Sequence, residues 1–183
     1  MRGRKLETLL KSIRAMCVLI AVTTVGFTMI AVVAVGEGYR FNATTSAPVG
    51  LWKIAQQHPG QVSVGQYVLI CPPQHEVLNR LIQQGRMFRG KCDSGTVPFI
   101  KAVVAEGAGR FRVEPDGVYI NDTRIESTAP YPWENLIPAP PSSIKSGEFI
   151  AIQTLHPGSI DSRYFGPMRV SDVIGVIEPK WIF

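Results

Sequence analysis

From Ala15 to Gly36 the chain runs for 22 positions without a charged residue, and this stretch limits what the remainder can be. As an α-helix it is about 33 Å long, enough to cross a hydrocarbon core of about 30 Å. A helix also satisfies its own backbone hydrogen bonds, as hydrocarbon requires. The overall hydrophobic content of 45% is high for a water-soluble chain, and the excess lies in this run.

Charge orients the segment. Arg2, Arg4, Lys5, Lys11 and Arg14 face only Glu7, so residues 1–14 carry four of the five net positive charges. Such a flank stays cytoplasmic and sends the C-terminal part across the membrane. The expected organisation is a basic cytoplasmic flank (1–14), a transmembrane anchor (15–36) and an exported domain (37–183). A cleaved secretory signal shares the basic flank, and Ala31–Gly36 is small enough to be cut, but its apolar core is usually shorter. From Ala15 onward basic and acidic residues nearly balance, so the basic pI gives no reason to invoke nucleic acid.

Of the three cysteines, Cys17 falls in the apolar run and serves as a small apolar residue. Cys71 and Cys92 belong to the exported part, where oxidation is permitted, and can be a bridge or two free thiols. No C-x-x-C pair is present, so a zinc site finds no support and no metal is expected.

Beyond residue 37 short apolar runs alternate with turn residues, which predicts a mainly β domain. Strands are expected at 66–71, 99–105, 111–114, 118–120, 148–152 and 173–177. Pro115-Asp116-Gly117 marks a hairpin and Glu106-Gly107-Ala108-Gly109 a turn. One helix is expected over 76–84, where Val77, Leu78, Leu81 and Ile82 share a face and Gly85 stops the run. It reads as a lid or packing element. The proline-rich stretch 130–141 cannot be a central strand and reads as a surface loop or part of a groove.

Three segments could carry chemistry. Asn42-Ala43-Thr44-Thr45-Ser46-Ala47-Pro48-Val49-Gly50-Leu51-Trp52 is by composition a Ser/Thr-rich turn. Its position, about ten residues past the membrane run, puts Ser46 within at most ~35 Å of the membrane surface. Lys101 is a lone charge in the apolar run Pro98–Val104. Buried, it would lose basicity and could take a proton from a serine hydroxyl at neutral pH; on an edge strand it would point to water. Asp161 and Arg163, in Ser159-Ile160-Asp161-Ser162-Arg163-Tyr164-Phe165-Gly166-Pro167, would share a face with Ser159 in a strand. Nearby His156 leaves a Ser–His–Asp arrangement open, and His58 and His75 are scattered in loops.

Taken in order, these segments resemble the TraF-type conjugal transfer peptidases, relatives of the bacterial type I signal peptidases. The resemblance runs from Asn42 to about Pro179. It rests on Asn42-x-Thr44-x-Ser46-x-Pro48-x-Gly50-Leu51, on Cys71-Pro72-Pro73 followed by Gly90-Lys91-Cys92, on Pro98–Val103, and on Ser159–Pro167. Gly65-Gln66, Glu106–Gly109 and Trp52 depart from the family pattern at turns and supports, which bears on fine geometry and substrate choice.

The resemblance implies a signal-peptidase-like antiparallel β domain with a short helical insert, preceded by one N-terminal transmembrane helix. It implies Ser46 as nucleophile, Lys101 as general base, and an oxyanion hole from the Ser46 N–H and the Thr44 hydroxyl. Ser159 would aim the lysine, and Asp161 and Arg163 would brace the wall. A Ser/Lys dyad leaves His156 without a required part and needs no cofactor. The implied setting is the bacterial inner membrane, with the domain in the periplasm. The implied partners are a pilin precursor or other membrane-bound protein substrate, membrane lipid, and the conjugative transfer (type IV secretion) machinery. Cleavage through an acyl-enzyme allows either hydrolysis or cyclisation of the product. A general type I signal peptidase and a non-catalytic bitopic component of the transfer apparatus are the alternatives.

Overall fold

The computed structural model describes residues 2–134 and 136–183; the side chains at 2–6, 8 and 9, among them Arg2, Arg4 and Lys5 of the basic flank, lie outside the described residues. The chain divides into two compact units, residues 1–39 and 40–183.

The first unit is a single helix, α1 (Arg2–Gly36), which begins well before the uncharged run. Its stretch Leu10–Gly36 is long and apolar enough to cross a membrane, with a mean hydropathy of 2.5. The hydroxyls of Thr23, Thr24 and Thr28 bond back to the carbonyls of Leu19, Ile20 and Thr24. The helix thereby satisfies its polar side chains internally, as an apolar medium requires. A helix apolar on every side fits a single-pass membrane anchor.

The second unit is mainly antiparallel β. Its larger sheet has seven strands in the order β1 (Tyr39–Asn42), β2 (Gly50–Gln57), β11 (Val173–Ile182), β3 (Tyr67–Ile70), β4 (Phe99–Glu106), β9 (Glu148–Ile152) and β10 (Met168–Arg169). The smaller has four, in the order β7 (Thr123–Ile125), β6 (Gly117–Ile120), β5 (Gly109–Glu114) and β8 (Ser142–Ile144). Strand β4 lies between β3 and β9, antiparallel to both, with Val68 opposite Lys101 and Ala151 opposite Val103. Period-2 alternation therefore turns Lys101 to the same buried face as Val103. That face is filled by Val68, Ile70, Val103, Phe149, Ala151 and Val173. Trp52, Ile54, Leu69 and Ile177 pack together in a second cluster. Through Phe111, Val118 and Ile144 the small sheet packs on Ile150 and Ile152 of β9.

Five strands escape sequence reading, and one is longer than expected. Strand β2 hides behind Lys53, Gln56 and Gln57, although its inward residues Trp52 and Ile54 alternate. Strand β11 runs past residue 177 to Ile182 despite Pro179, because beyond Ile177 only β2 pairs with it and the register slips between Pro179 and Trp181. Where β11 passes β2 closely, a side chain at Gly175 would come within 2.7 Å of the Gln56 carbonyl, so only glycine fits.

Between β3 and β4 lies an insert containing helix α2 (Glu76–Gln83). His75 caps it, its Nδ1 accepting the Val77 N–H at 3.2 Å, and Gly85 leaves it at φ +68°. Val77, Leu78 and Leu81 pack against Leu136, Ile160 and Tyr164. Cys71 and Cys92, 21 positions apart, are joined in a disulfide at the base of the insert. On either side of residue 135 the proline-rich stretch is an ordered loop. The Tyr131 N–H donates to the Tyr164 hydroxyl and Tyr131 O accepts from it, at 2.8 and 2.9 Å, while the Ala139 N–H donates to Arg163 O at 2.8 Å.

Closing a loop of this length removes unfolded-state entropy worth about 3 kcal/mol. Replacing both Cys71 and Cys92 with alanine should lower unfolding stability by that order, measured by denaturant titration. A change within error would show that the insert is held by its apolar contacts alone.

Candidate active site

The segment after β1 has few apolar side chains, so polar groups must hold it. Asn42, at the strand's end and buried, does most of this. Its Nδ2 donates to the carbonyls of Thr44, Ala47 and Pro48, each at 3.0 Å. Its Oδ1 accepts the Thr44 N–H at 3.1 Å and the Thr44 hydroxyl at 2.7 Å. The Trp52 indole adds a hydrogen bond to Pro48 O at 3.0 Å from beneath. Three residues are thus tied to one amide side chain. Half-buried Ser46 stands on this turn, its Oγ 3.2 Å from the Thr44 hydroxyl. With the Thr44 proton committed to Asn42, Ser46 is the donor in that pair. Thr44 could reach an oxyanion only by rotating its hydroxyl away from Asn42.

Lys101 is 3% exposed on the inward face of β4, so the water-pointing alternative does not hold. It makes no ion pair among the described residues, and its Nζ donates to Ser159 Oγ at 2.6 Å. The Phe99 ring lies 5.3 Å from Nζ. Burial lowers its pKa from 10.5 to about 8; the nearby Asp161 charge opposes this and Arg163 adds to it. A tenth or so of the side chain is then neutral near pH 7, with a lone pair able to accept a proton.

The Ser159–Arg163 segment is not a strand, as its alternation suggests, but a loop running into a short helix, α3 (Ser162–Phe165). Asp161 is the N-cap, and its Oδ1 accepts the Arg163 N–H at 3.2 Å. The two side chains meet through this cap geometry rather than across a pleat. Arg163 is fully buried and forks onto Asp161, with Nε to Oδ1 at 2.9 Å and Nη2 to Oδ2 at 2.8 Å. Its remaining donors reach the carbonyls of Gln153 (3.1 Å), Ser159 (3.0 Å), Pro157 (3.2 Å) and Ala129 (3.3 Å). Asp161 Oδ2 also accepts the Gln153 N–H at 3.1 Å, and Ser162 Oγ the Ala151 N–H at 3.0 Å. The segment is thereby stitched to β9, the neighbour of the lysine strand, and Ser159 is delivered to Lys101.

One cavity of about 620 Å³ is lined by Thr44, Ser46, Lys101 and Ser159 together. The rest of its wall comes from the insert and the proline-rich loop, through Leu81, Arg86, Phe88 and Trp133. His156 also lines it, and its Nδ1 accepts the Gly158 N–H at 3.1 Å. His75 is the α2 cap, and His58 is not among the lining residues. No cluster of three His, Cys, Asp or Glu that could hold a metal occurs among the described residues. Sequence reading overlooks Asn42 and Trp52 as organisers of the serine turn, and Arg86 and Trp133 as wall residues. An asparagine opening the Asn42-x-Thr44-x-Ser46 pattern is the one signal that could have pointed to the first.

The family model for signal peptidase, peptidase S26, matches residues 11–182. "Conjugal transfer protein TraF" of Agrobacterium tumefaciens (strain 15955) is 32% identical over 154 residues, covering 82% of this chain and 86% of that protein. "Plasmid transfer protein TraF" of Escherichia coli is 32% identical over 148 residues, covering 78% of this chain and 82% of that protein. The crystal structure of a signal peptidase I from Enterococcus faecalis V583 aligns at 15% identity and a TM-score of 0.37, over 63% of this chain and 96% of that one. The chain belongs to the signal peptidase S26 family of serine peptidases, and is of its TraF type.

Two outcomes follow from the buried charges. Below pH 8 Lys101 is protonated in both folded and unfolded chains, and the fold bears the cost of burying the ammonium, about 3 kcal/mol for a shift from 10.5 to about 8. Between pH 8 and 10.5 the unfolded chain holds the extra proton, so stability should rise with pH. Lys101→Met should abolish that rise in denaturant titrations; an unchanged pH slope would contradict the assignment. Arg163→Lys, which cannot fork onto Asp161 or reach four carbonyls, should cost at least about 3 kcal/mol by the same measurement.

Proposed function

We propose that the chain is a membrane-anchored serine endopeptidase that cleaves a conjugative pilin precursor, or a similar exported protein, through a Ser46 acyl-enzyme. The observation that carries this reading is the buried Lys101, without an ion pair among the described residues, lining the same cavity as Ser46 and bonded to Ser159. A lysine so placed has no evident structural use, and burying it unpaired costs stability. Membership of a peptidase family and the names of the relatives support the reaction and the setting in plasmid transfer.

In this mechanism neutral Lys101 donates one N–H to Ser159 and directs its lone pair to the Ser46 hydroxyl. As Ser46 Oγ bonds to the scissile carbonyl carbon, its proton passes to Lys101 Nζ. The carbonyl oxygen, now negative, is held by the Ser46 N–H and by the Thr44 hydroxyl rotated from Asn42. One such donor is typically worth about 10²–10³ in rate. Breakage of the C–N bond takes the proton from Lys101 to the departing amine. Water or a substrate amine then attacks the ester and gives its proton to Lys101, which passes it to Ser46 Oγ as the ester C–O bond breaks, releasing an acid or a new peptide bond and restoring both side chains. Asp161 and Arg163 act through Ser159 and are positioning residues.

The basic flank supports an orientation with residues 1–14 in the cytoplasm, 15–36 as the anchor and 37–183 in the periplasm. An enzyme and substrate held in one membrane meet at raised effective concentration.

In cells making both proteins, Ser46→Ala and Lys101→Met should each stop precursor maturation, with a rate loss of at least about a thousandfold. Intact-mass analysis of the pilin gives the readout and tells a hydrolysed product from a cyclic one. Mature pilin in both variants would overturn the proposal. For the wild type, kcat/KM should rise with pH and level off above about 8, as Lys101 loses its proton.

A further inference from the structure

Beside the dyad the cavity wall carries a second feature. Arg86, exposed in the insert, lies with its guanidinium carbon 5.1 Å from the centre of the Trp133 ring. It has no carboxylate partner among the described residues, and the indole face is what holds it. Both residues line the cavity that contains Ser46 and Lys101.

Trp133 sits against the reaction centre's own loop. A side chain at Gly158 would meet Trp133 Cζ2 at 3.2 Å and His156 Cε1 at 3.1 Å. Gly158 directly precedes Ser159, the acceptor for Lys101. Arg86, Trp133, Gly158, Ser159 and Lys101 therefore form one unbroken wall. Its formal charges have one sign: Arg40, Arg86 and Lys101 line the cavity and no Asp or Glu does, among the described residues. Asp161, the carboxylate behind Ser159, is fully buried and taken up by Arg163. Most other lining side chains are apolar.

We infer that Arg86, braced on Trp133, determines specificity by pairing with a carboxylate on the peptide substrate, an Asp or Glu side chain within a few residues of the scissile bond. This rests on the peptidase reading above and adds a substrate preference to it. An extended peptide advances about 3.3 Å per residue, so the preference belongs to one position rather than to net charge. The planar fork of Arg86 suits a carboxylate, and its ring contact limits the freedom lost on binding. Arg86 touches no reacting atom, and the pairing contributes binding and register.

The test uses the full-length chain in detergent micelles with short fluorescein-labelled peptides of small residues, in which one Glu is walked along the sequence against Gln controls. Binding is read by anisotropy on the Ser46→Ala background, so it does not depend on turnover. One Glu position should bind about three- to tenfold tighter than its Gln control at low salt, the advantage shrinking as salt rises. Arg86→Gln should erase the difference, and Arg86→Glu should transfer it to a Lys at the same position, an exchange that mere loss of structure cannot produce. Equal binding of all Glu and Gln peptides overturns the inference, as does a Glu preference that survives Arg86→Gln. Cleavage by the Ser46 enzyme is scored separately: charge-dependent binding without cleavage would refute the peptidase reading and leave the subsite standing.

Discussion

The site depends on a guanidinium sealed from water. An uncompensated guanidinium charge at full burial would cost several kcal/mol. It is tolerated because Asp161 takes it in a two-pronged bond and four backbone carbonyls take the rest. Those carbonyls belong to Ala129, Gln153, Pro157 and Ser159, which lie just before the proline-rich loop, just after β9 and in the loop leading to α3. One side chain therefore sets the relative position of three irregular segments that have too few apolar residues to position themselves. Ser159 is one of the four, and its hydroxyl receives Lys101. The brace and the lysine are coupled through that residue.

The serine is held by the same principle on a smaller scale. Asn42 spans the turn with five hydrogen bonds, and Trp52 secures it from below. Polar brackets of this kind suit a chemical site, because they fix backbone without filling the space a substrate must enter. The apolar clusters do the complementary work of making β3, β4 and β9 a rigid floor under Lys101. The insert completes the cavity wall, joined at its base by Cys71–Cys92 and seated on Ile160 and Tyr164 of the brace segment. The insert and the lysine strand thus both meet residues 159–164.

Much of this was legible beforehand. The apolar strands at 99–105 and 148–152 and the helix from Glu76 declare themselves because burial imposes a period on side-chain polarity. Short or half-polar strands do not: β1, β7, β8 and β10 have four residues or fewer, and β2 carries Lys53, Gln56 and Gln57. The Asp161–Arg163 pairing could be anticipated from spacing, but for a geometrical reason that fails. The residues meet at a helix cap, where Asp161 accepts a backbone N–H and directs both oxygens to Arg163. No periodicity argument carries that information. Asn42 was similarly hidden, since a side chain bonding to its own turn leaves no mark on hydropathy.

Sequence alone determined the uncharged span and its basic flank, the β character of the rest, and the residue types that could do chemistry, since these follow from composition and local pattern. It left open whether Lys101 faced water or core. That choice belongs to strand order: β4 lies between β3 and β9, so its inward face is sealed and the lysine's basicity falls. Tertiary structure also decided which distant groups share a cavity. Ser46, Arg86, Lys101, Trp133 and Ser159 come from separate elements, and their meeting is set by long-range pairing and by the carbonyls gathered around Arg163. Local sequence cannot encode such a meeting, because it arises from burying one charge at the junction of three loops.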